Sequence, residues 1–188
     1  VLASDECYAE LGWDGPWERE PIPSILDPRV TGGDRSNLLS VYSLSKQSNL
    51  AGYRAAFIAG DPVLIERLLT VRKHAGLMLP APVQAAMIAA LGDETHVAEQ
   101  RERYRARRGI LRPALEAAGY RIDASEAGLY LWVTRGVDAW EDVARFADLG
   151  IVVGPGTFYG NGSPQHVRLS TTATDAHITE AARRISGE

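Results

Sequence analysis

Ser43-Leu44-Ser45-Lys46-Gln47-Ser48-Asn49-Leu50-Ala51-Gly52-Tyr53-Arg54 is the stretch on which the reading of this chain turns. Of 20 basic residues 18 are arginine, and the one other lysine is Lys73, within Val71-Arg72-Lys73-His74. Where arginine is the default cation, a lysine points to work that a guanidinium cannot do, namely losing a proton and attacking a carbonyl. Small hydroxylated residues surround Lys46, and Arg54 follows eight positions later. Those are the makings of a phosphate cradle beside an amine nucleophile. Taken alone, Lys46 would be a solvated loop lysine; its neighbours argue against that.

Bulk properties set the frame. The chain has 188 residues, 45% hydrophobic and 23% charged, with a mean hydropathy of −0.15. That suits one ordinary domain or two small ones with a real core. No apolar run approaches the ~20 residues of a membrane span. A net charge of −4 offers no general attraction to nucleic acid or anionic lipid. Cys7 is the only cysteine, so no intrachain disulfide forms and a reducing, cytoplasmic setting is expected. His74, His96, His166 and His177 share no ligand spacing with one another or with Cys7, so no metal site is expected.

Working outward from the lysine stretch, Leu38–Ser43 reads as a buried strand that delivers it, and Ala55–Gly60 as another strand beyond it. Asp61-Pro62 is an N-cap followed by proline at the first helical position, opening a helix to about His74 with Leu64, Leu68 and Val71 on one side. Upstream, Gly12 to Arg35 holds four prolines and four glycines and reads as loop. Val1-Leu2-Ala3 reads as the middle of a buried strand feeding Ser4-Asp5-Glu6, not as a signal peptide. With no initiator methionine, the chain is expected to be the C-terminal piece of something longer.

Downstream, Pro80-Ala81-Pro82 breaks the chain, and a long helical region is expected from there to about Ala118. Val97, Tyr104, Leu111, Leu115 and Ala118 form its apolar stripe, and Gly109 and Pro113 predict a kink. Five arginines between Arg101 and Arg108, interleaved with Glu99 and Glu102, read as a solvated helix face, with Glu99 paired to Arg103, and not as a nucleic-acid patch. From Gly119 strands and helices alternate. Strands are expected at 120–122, 129–133, 151–153 and 166–170, with helices at 140–149 and 174–185. The division expected is 1–80, 81–118 and 119–188.

Three groups of residues now line up: Asp5 and Tyr8 after one strand, Lys46 with Ser43, Ser45 and Arg54 after a second, and Arg168 in a third. This resembles the fold-type I, pyridoxal-phosphate-dependent aminotransferases of class I/II. The pattern Ser-Leu-Ser-Lys-x-x-Asn-Leu-x-Gly-x-Arg-Ala-Ala is similar to the family's cofactor-attachment segment. Asp-x-x-Tyr about forty residues upstream, and Val167-Arg168-Leu169-Ser170 preceded by Gly154-Pro155-Gly156-Thr157-Phe158-Tyr159, are further matches. The resemblance implies an α/β fold: the second half of a large domain with a mostly parallel sheet and flanking helices, a long linking helix, and a small C-terminal α/β domain.

It also implies roles. Lys46 would attach covalently to pyridoxal 5′-phosphate and then move the proton between Cα and C4′. Asp5 would face the pyridine nitrogen and keep it protonated, and Tyr8 would hydrogen-bond the phenolic oxygen. Alone, the first reads as a strand-end turn residue and the second as a core or edge tyrosine. Ser43, Ser45 and Arg54 would hold the phosphate, although Ser45 is also explained by a need for a small side chain. Arg168 would clamp the substrate α-carboxylate; out of context it reads as a surface ion-pair residue. The glycine-containing phosphate loop, the ring-stacking aromatic and the asparagine of the family have no counterpart here, so an incomplete site is expected. Amino acid and 2-oxo acid substrates and a homodimer follow from the same resemblance.

Within the family, Ser4–Leu11 and Ser43–Leu50 resemble the actinobacterial N-succinyldiaminopimelate aminotransferases of lysine biosynthesis. The alternatives are another class I/II aminotransferase acting on aspartate, alanine or aromatic amino acids, a carbon–sulfur β-lyase on the same fold, and the aminotransferase-like sensor domain of a transcription regulator.

Overall fold

The computed structural model describes residues 1–187. In chain order the elements are β1 (Leu2–Asp5), α1 (Pro28–Thr31), β2 (Leu38–Ser43), α2 (Leu44–Gln47), β3 (Ala56–Gly60), α3 (Pro62–His74), α4 (Ala81–Leu91), α5 (Glu94–Ala117), β4 (Arg121–Asp123), β5 (Tyr130–Thr134), α6 (Ala139–Asp148), β6 (Gly154–Pro155), β7 (Val167–Ser170) and α7 (Asp175–Ser186). Contacts divide them into two compact units, one formed by residues 1–12 and 16–101, the other by residues 13–15 and 102–188.

The first unit carries a three-stranded sheet in the order β1-β2-β3. β1 pairs parallel to β2, with Asp5 opposite Val41, and β3 pairs antiparallel to β2, with Ser43 opposite Ala56. The sheet is therefore mixed, not mostly parallel: residues 44–55, which hold α2 and the turn at 51–53, bring the chain back beside β2 in the opposite direction. In this 188-residue chain β1 stands at the edge of the sheet. Asp61 caps α3 as expected, accepting from the Val63 N–H, but the apolar residues of that helix cover no core and none is buried. The core of this unit gathers Leu44, Ala55 and Met87, with Tyr42 and Phe57 stacked beside them at 5.3 Å.

The long helical region is two helices. Gly92 ends α4, and the Asp93 side chain accepts from the Thr95 N–H at 2.9 Å, opening α5 as an N-cap would. α5 then runs through Pro113 to Ala117. The loop-rich stretch also holds a single helical turn, α1, which begins at Pro28 behind the Asp27 cap.

The second unit carries an antiparallel sheet in the order β4-β5-β7-β6. Leu111 and Leu115 of α5, Leu131 and Val133 of β5, Phe146 of α6, Val167 of β7 and Ile178 of α7 meet in one continuous core. Ile151–Val153 is not a strand. Val152 is 97% exposed, and pairing with β7 begins only at Gly154, opposite Arg168. The arginines of α5 are not one solvated face either. Arg108 is 3% exposed and donates to the carbonyls of Ser125 and Tyr130, while Arg107 holds Asp175 at 2.6 Å. Burial pushes the Arg108 guanidinium down to about 10, against the pull of Asp14. Arg105 and Arg108 also sit over the Trp13 ring. These side chains fasten irregular backbone, which no helical charge pattern encodes.

Candidate active site

β1 and β2 are adjacent parallel strands, so their C-terminal ends present Asp5 and Ser43 on the same side of the sheet. Ser43 ends its strand and caps α2: its Oγ accepts from the Ser45 N–H at 3.2 Å and lies 2.8 Å from Ser45 Oγ. α2 is a single turn, and it carries Lys46. The Lys46 Nζ stands 5.9 Å from the centroid of the Tyr8 ring. Asp5 Oδ1 accepts from the Cys7 N–H at 3.2 Å. The half-buried Cys7 thiol is pushed up to about 11, first by burial and then by its hydrogen bond to Asp5 and that carboxylate's charge, with Lys46 acting in the opposite direction. A carboxylate and an amine thus act on one thiol, and the amine faces the Tyr8 ring.

Arg54 lies at the end of the 51–53 turn in the left-handed region, at φ 51°, and Asn49 before that turn has φ 53°. Two non-glycine residues held there cost on the order of 1–3 kcal/mol each, a strain found at functional turns. The exposed Arg54 donates to the Ala51 carbonyl at 3.1 Å, while the Ser43 hydroxyl reaches the Ala55 carbonyl at 3.3 Å. The phosphate-type groups are therefore tied to neighbouring backbone on the two flanks of one loop.

Several residues that fix this loop were not legible beforehand. Gln47 is buried, accepts from the Tyr42 hydroxyl and donates to Ser48 Oγ. His96 bridges Ser48 Oγ at 2.9 Å and Asp93 at 3.1 Å, and Asn49 donates to Gln100 at 3.0 Å. Glu6 ties β1 to β2 and to the loop, accepting from Ser40 Oγ and the Ile25 N–H, both at 2.7 Å. Glu6, next to Asp5 at a strand end, was the one with a signal in the sequence. His96 and Gln100 lie some fifty residues from their partners, and no spacing rule finds them.

In the second unit Arg168 stands on β7 opposite Trp132 of β5. Its guanidinium carbon lies 4.1 Å from the Tyr130 centroid and 5.2 Å from that of Tyr159. Among the described residues it has no carboxylate partner, and its Nε is buried without a hydrogen bond. A cation held by rings and left without a counterion is suited to an anionic ligand.

The donor set suits pyridoxal 5′-phosphate. Lys46 is an amine for an aldehyde, Asp5 an acid for a ring nitrogen, Tyr8 a donor for a phenolic oxygen, and Ser43, Ser45 and Arg54 are groups a phosphate would accept from. Among the described residues no three or more His, Cys, Asp or Glu are placed to hold a metal ion, and no helix is long and apolar enough to cross a membrane.

Comparison with known proteins agrees with this chemistry. Residues 1–185 match the family model for aminotransferase class I and II. The chain is 58% identical, over 99% of its length and 50% of the relative's, to the 4-dedimethylamino-4-oxo-anhydrotetracycline transaminase OxyQ of Streptomyces rimosus. It is 54% identical to a probable aminotransferase of Mycobacterium tuberculosis, over 99% of the chain and 43% of the relative. An aminotransferase structure from Neisseria meningitidis superposes with a TM-score of 0.88 at 32% identity, over all of this chain and 49% of that one. A probable N-succinyldiaminopimelate aminotransferase from Thermus thermophilus gives a TM-score of 0.83 at 28% identity, over 99% and 49%. The chain spans about half the length of the curated relatives it matches. It covers about half of a fold-type I aminotransferase and belongs to the class I and II aminotransferases, a family that uses pyridoxal 5′-phosphate.

Proposed function

We propose that this chain forms part of an enzyme that moves an amino group between an amino acid and a 2-oxo acid. The observation that carries the reading is that Asp5 and Lys46 both act on Cys7, and Lys46 faces the Tyr8 ring, at the end of two parallel strands. Pyridoxal 5′-phosphate, when bound, supplies an electron sink that lets the α-proton of an amino acid leave. Lys46 would hold the cofactor through its amine and would afterwards carry the substrate α-proton. Asp5 would keep the ring nitrogen protonated, Tyr8 would donate to the phenolic oxygen, and Ser43, Ser45 and Arg54 would hold the phosphate. Arg168 takes the α-carboxylate of donor and acceptor alike by a two-pronged pair. The working assembly is a homodimer in the cytoplasm, as the family resemblance implies.

Two substrate readings have support. N-succinyl-LL-2,6-diaminopimelate with 2-oxoglutarate, in lysine biosynthesis, rests on Ser4–Leu11 and Ser43–Leu50 and on the Thermus structure. A ring ketone of the anhydrotetracycline type rests on 58% identity to the Streptomyces enzyme.

Borohydride reduction of the complete cofactor-loaded protein, followed by peptide mapping, should place the pyridoxyl group on Lys46; finding it on Lys73 would end this reading. Arg168→Lys keeps the charge and loses the fork, so KM should rise for every substrate that carries an α-carboxylate, by roughly ten- to a hundredfold given the about 1.5–3 kcal/mol typical of charged hydrogen bonds. Assaying N-succinyl-LL-2,6-diaminopimelate as donor and the ring ketone as acceptor then separates the two substrate readings.

A further inference from the structure

We infer that Tyr130 and Tyr159 are positioning residues that hold the Arg168 guanidinium in the plane that receives a substrate carboxylate. This rests on the reading of Arg168 as the carboxylate clamp and goes beyond it. An arginine is usually fixed in place by a carboxylate of its own protein, but such a partner occupies the same fork of N–H groups that a substrate needs. An aromatic face attracts the cation through its quadrupole and uses none of those donors.

That is the arrangement around Arg168. Tyr130 lies under the guanidinium at 4.1 Å and Tyr159 flanks it at 5.2 Å. Tyr130 projects from β5, which pairs with β7, and is therefore fixed by the sheet. Tyr159 comes from a loop and is held by a further ring contact. Its ring meets Trp132 edge-on at 5.6 Å, and Trp132 is backed by His166, stacked at 5.3 Å and anchored to Asp123 at 3.0 Å. The turn that carries Tyr159 begins at Gly156, whose N–H donates to the His166 carbonyl at 2.7 Å. A Cβ at Gly156 would fall 2.1 Å from the Ser163 carbonyl oxygen, so the backbone there closes in a way only glycine permits. The aromatic stack is thus built in from both sides of Arg168, and Nε is shut away with no partner.

The test uses the complete protein with its cofactor and the variants Tyr130→Leu, Tyr159→Leu, Tyr130→Phe and Tyr159→Phe. In the leucine variants KM for every α-carboxylate donor and acceptor should rise about three- to thirtyfold, the range that cation–ring contacts support. The larger rise belongs to Tyr130, kcat should change less than twofold, and phenylalanine should restore the parent values because the ring face suffices. A readout free of turnover is titration with propionate, which offers little besides a carboxylate, followed through the 1H–15N resonance of Arg168 Nε. Half-saturation should move to higher propionate in the leucine variants by the same factor. Tyr159 is 54% exposed, so Tyr159→Leu carries the test if Tyr130→Leu does not fold. Leucine variants with parental KM and propionate titration, beside an Arg168→Lys that raises KM, would overturn the positioning role alone. An Arg168→Lys with unchanged KM would overturn the clamp and this inference with it.

Discussion

The lysine and the arginine are held by different physics. Lys46 rides on a single helical turn whose shape is set by a capping serine, left-handed residues and side-chain hydrogen bonds to Gln47, His96 and Gln100. Behind it, Leu44, Ala55 and Met87 form a buried cluster. Arg168 stands on a strand whose neighbours, Val167 at 0% and Leu169 at 5% exposure, enter a continuous core, and it is gripped by ring faces. In the role proposed for it, a reactive amine must come and go from its partner, which a loop held by hydrogen bonds suits better than a packed strand. A carboxylate clamp gains from standing still, and a packed strand gives it that rigidity.

The contrast is broken most easily by truncating one apolar residue in each sheet. Leu131→Ala, in the middle of β5 and fully buried, should cost about 2–5 kcal/mol in this 188-residue chain. Leu2→Ala on the exposed edge strand should fall within about 0.5 kcal/mol of the parent. Urea unfolding followed by tryptophan fluorescence reads both. Equal losses would show that the two sheets are equally supported.

Next in size is the buried carboxylate of the second unit. Asp142 is fully buried, with Oδ1 taking the Arg135 guanidinium at 2.6 Å and the Tyr120 hydroxyl at 3.0 Å, while Oδ2 has no hydrogen-bond partner among the described residues. Burial, then the hydrogen bond and charge of Asp142, push the Tyr120 phenol up to about 12. Breaking a fully buried pair costs about 3–5 kcal/mol, but Arg135 retains some contact with water, so Asp142→Ala should cost roughly 2–3 kcal/mol. A change under about 0.5 kcal/mol would mean the pair merely offsets its own desolvation.

Much of this was legible from short-range chemistry. The Asp61-Pro62 cap, the strand at 38–43 and the stop of α6 near Gly150 are local events, and the structure has them. What the chain does not announce is what covers an element. An alternating or continuous apolar run reads as buried, yet β1 lies at an edge, the apolar residues of α3 are not buried, and Val152 is open to solvent. The arginines of α5 mislead for the same reason: charge spacing along a helix says nothing about loop carbonyls that fold against it. The lysine loop was legible because the residues flanking it are chemically unusual together. The rings around Arg168 were not, because Tyr130, Trp132 and Tyr159 read as ordinary strand and turn aromatics until the register of β5 and β7 is known.

The lysine end can be probed through its thiol, with a smaller effect. Raised from 9.0 to about 11, Cys7 should carry about a hundredfold less thiolate at pH 8 than an unperturbed thiol, and alkylate correspondingly slowly. Asp5→Asn removes the charge contribution while leaving burial, so alkylation should quicken by several-fold, up to about tenfold. Lys46→Ala should slow it, since the ammonium favours the thiolate. The same rate in all three proteins would mean that amine, carboxylate and thiol do not share one site.

The smallest effect lies at the far end of the aromatic stack, in the acid limb of stability. Asp123 is held down to about 2 from an ordinary 3.8, first by its hydrogen bonds with Arg121 and then by that with His166. A carboxylate whose folded value is depressed stabilises the fold above its unfolded value, and that contribution disappears as pH falls through the folded one. The window is therefore about pH 4 down to 2, with nothing lost at neutral pH from this group. The pair with Arg121 is solvent-facing and screened by salt, so the change should be modest and smaller still at high ionic strength. Asp123→Asn should flatten the acid limb of the Tm profile within that window. An unaltered limb would place the acid sensitivity in other carboxylates. A flattened limb with an unmoved Trp132 fluorescence spectrum would show that His166 keeps its place under Trp132 by stacking alone.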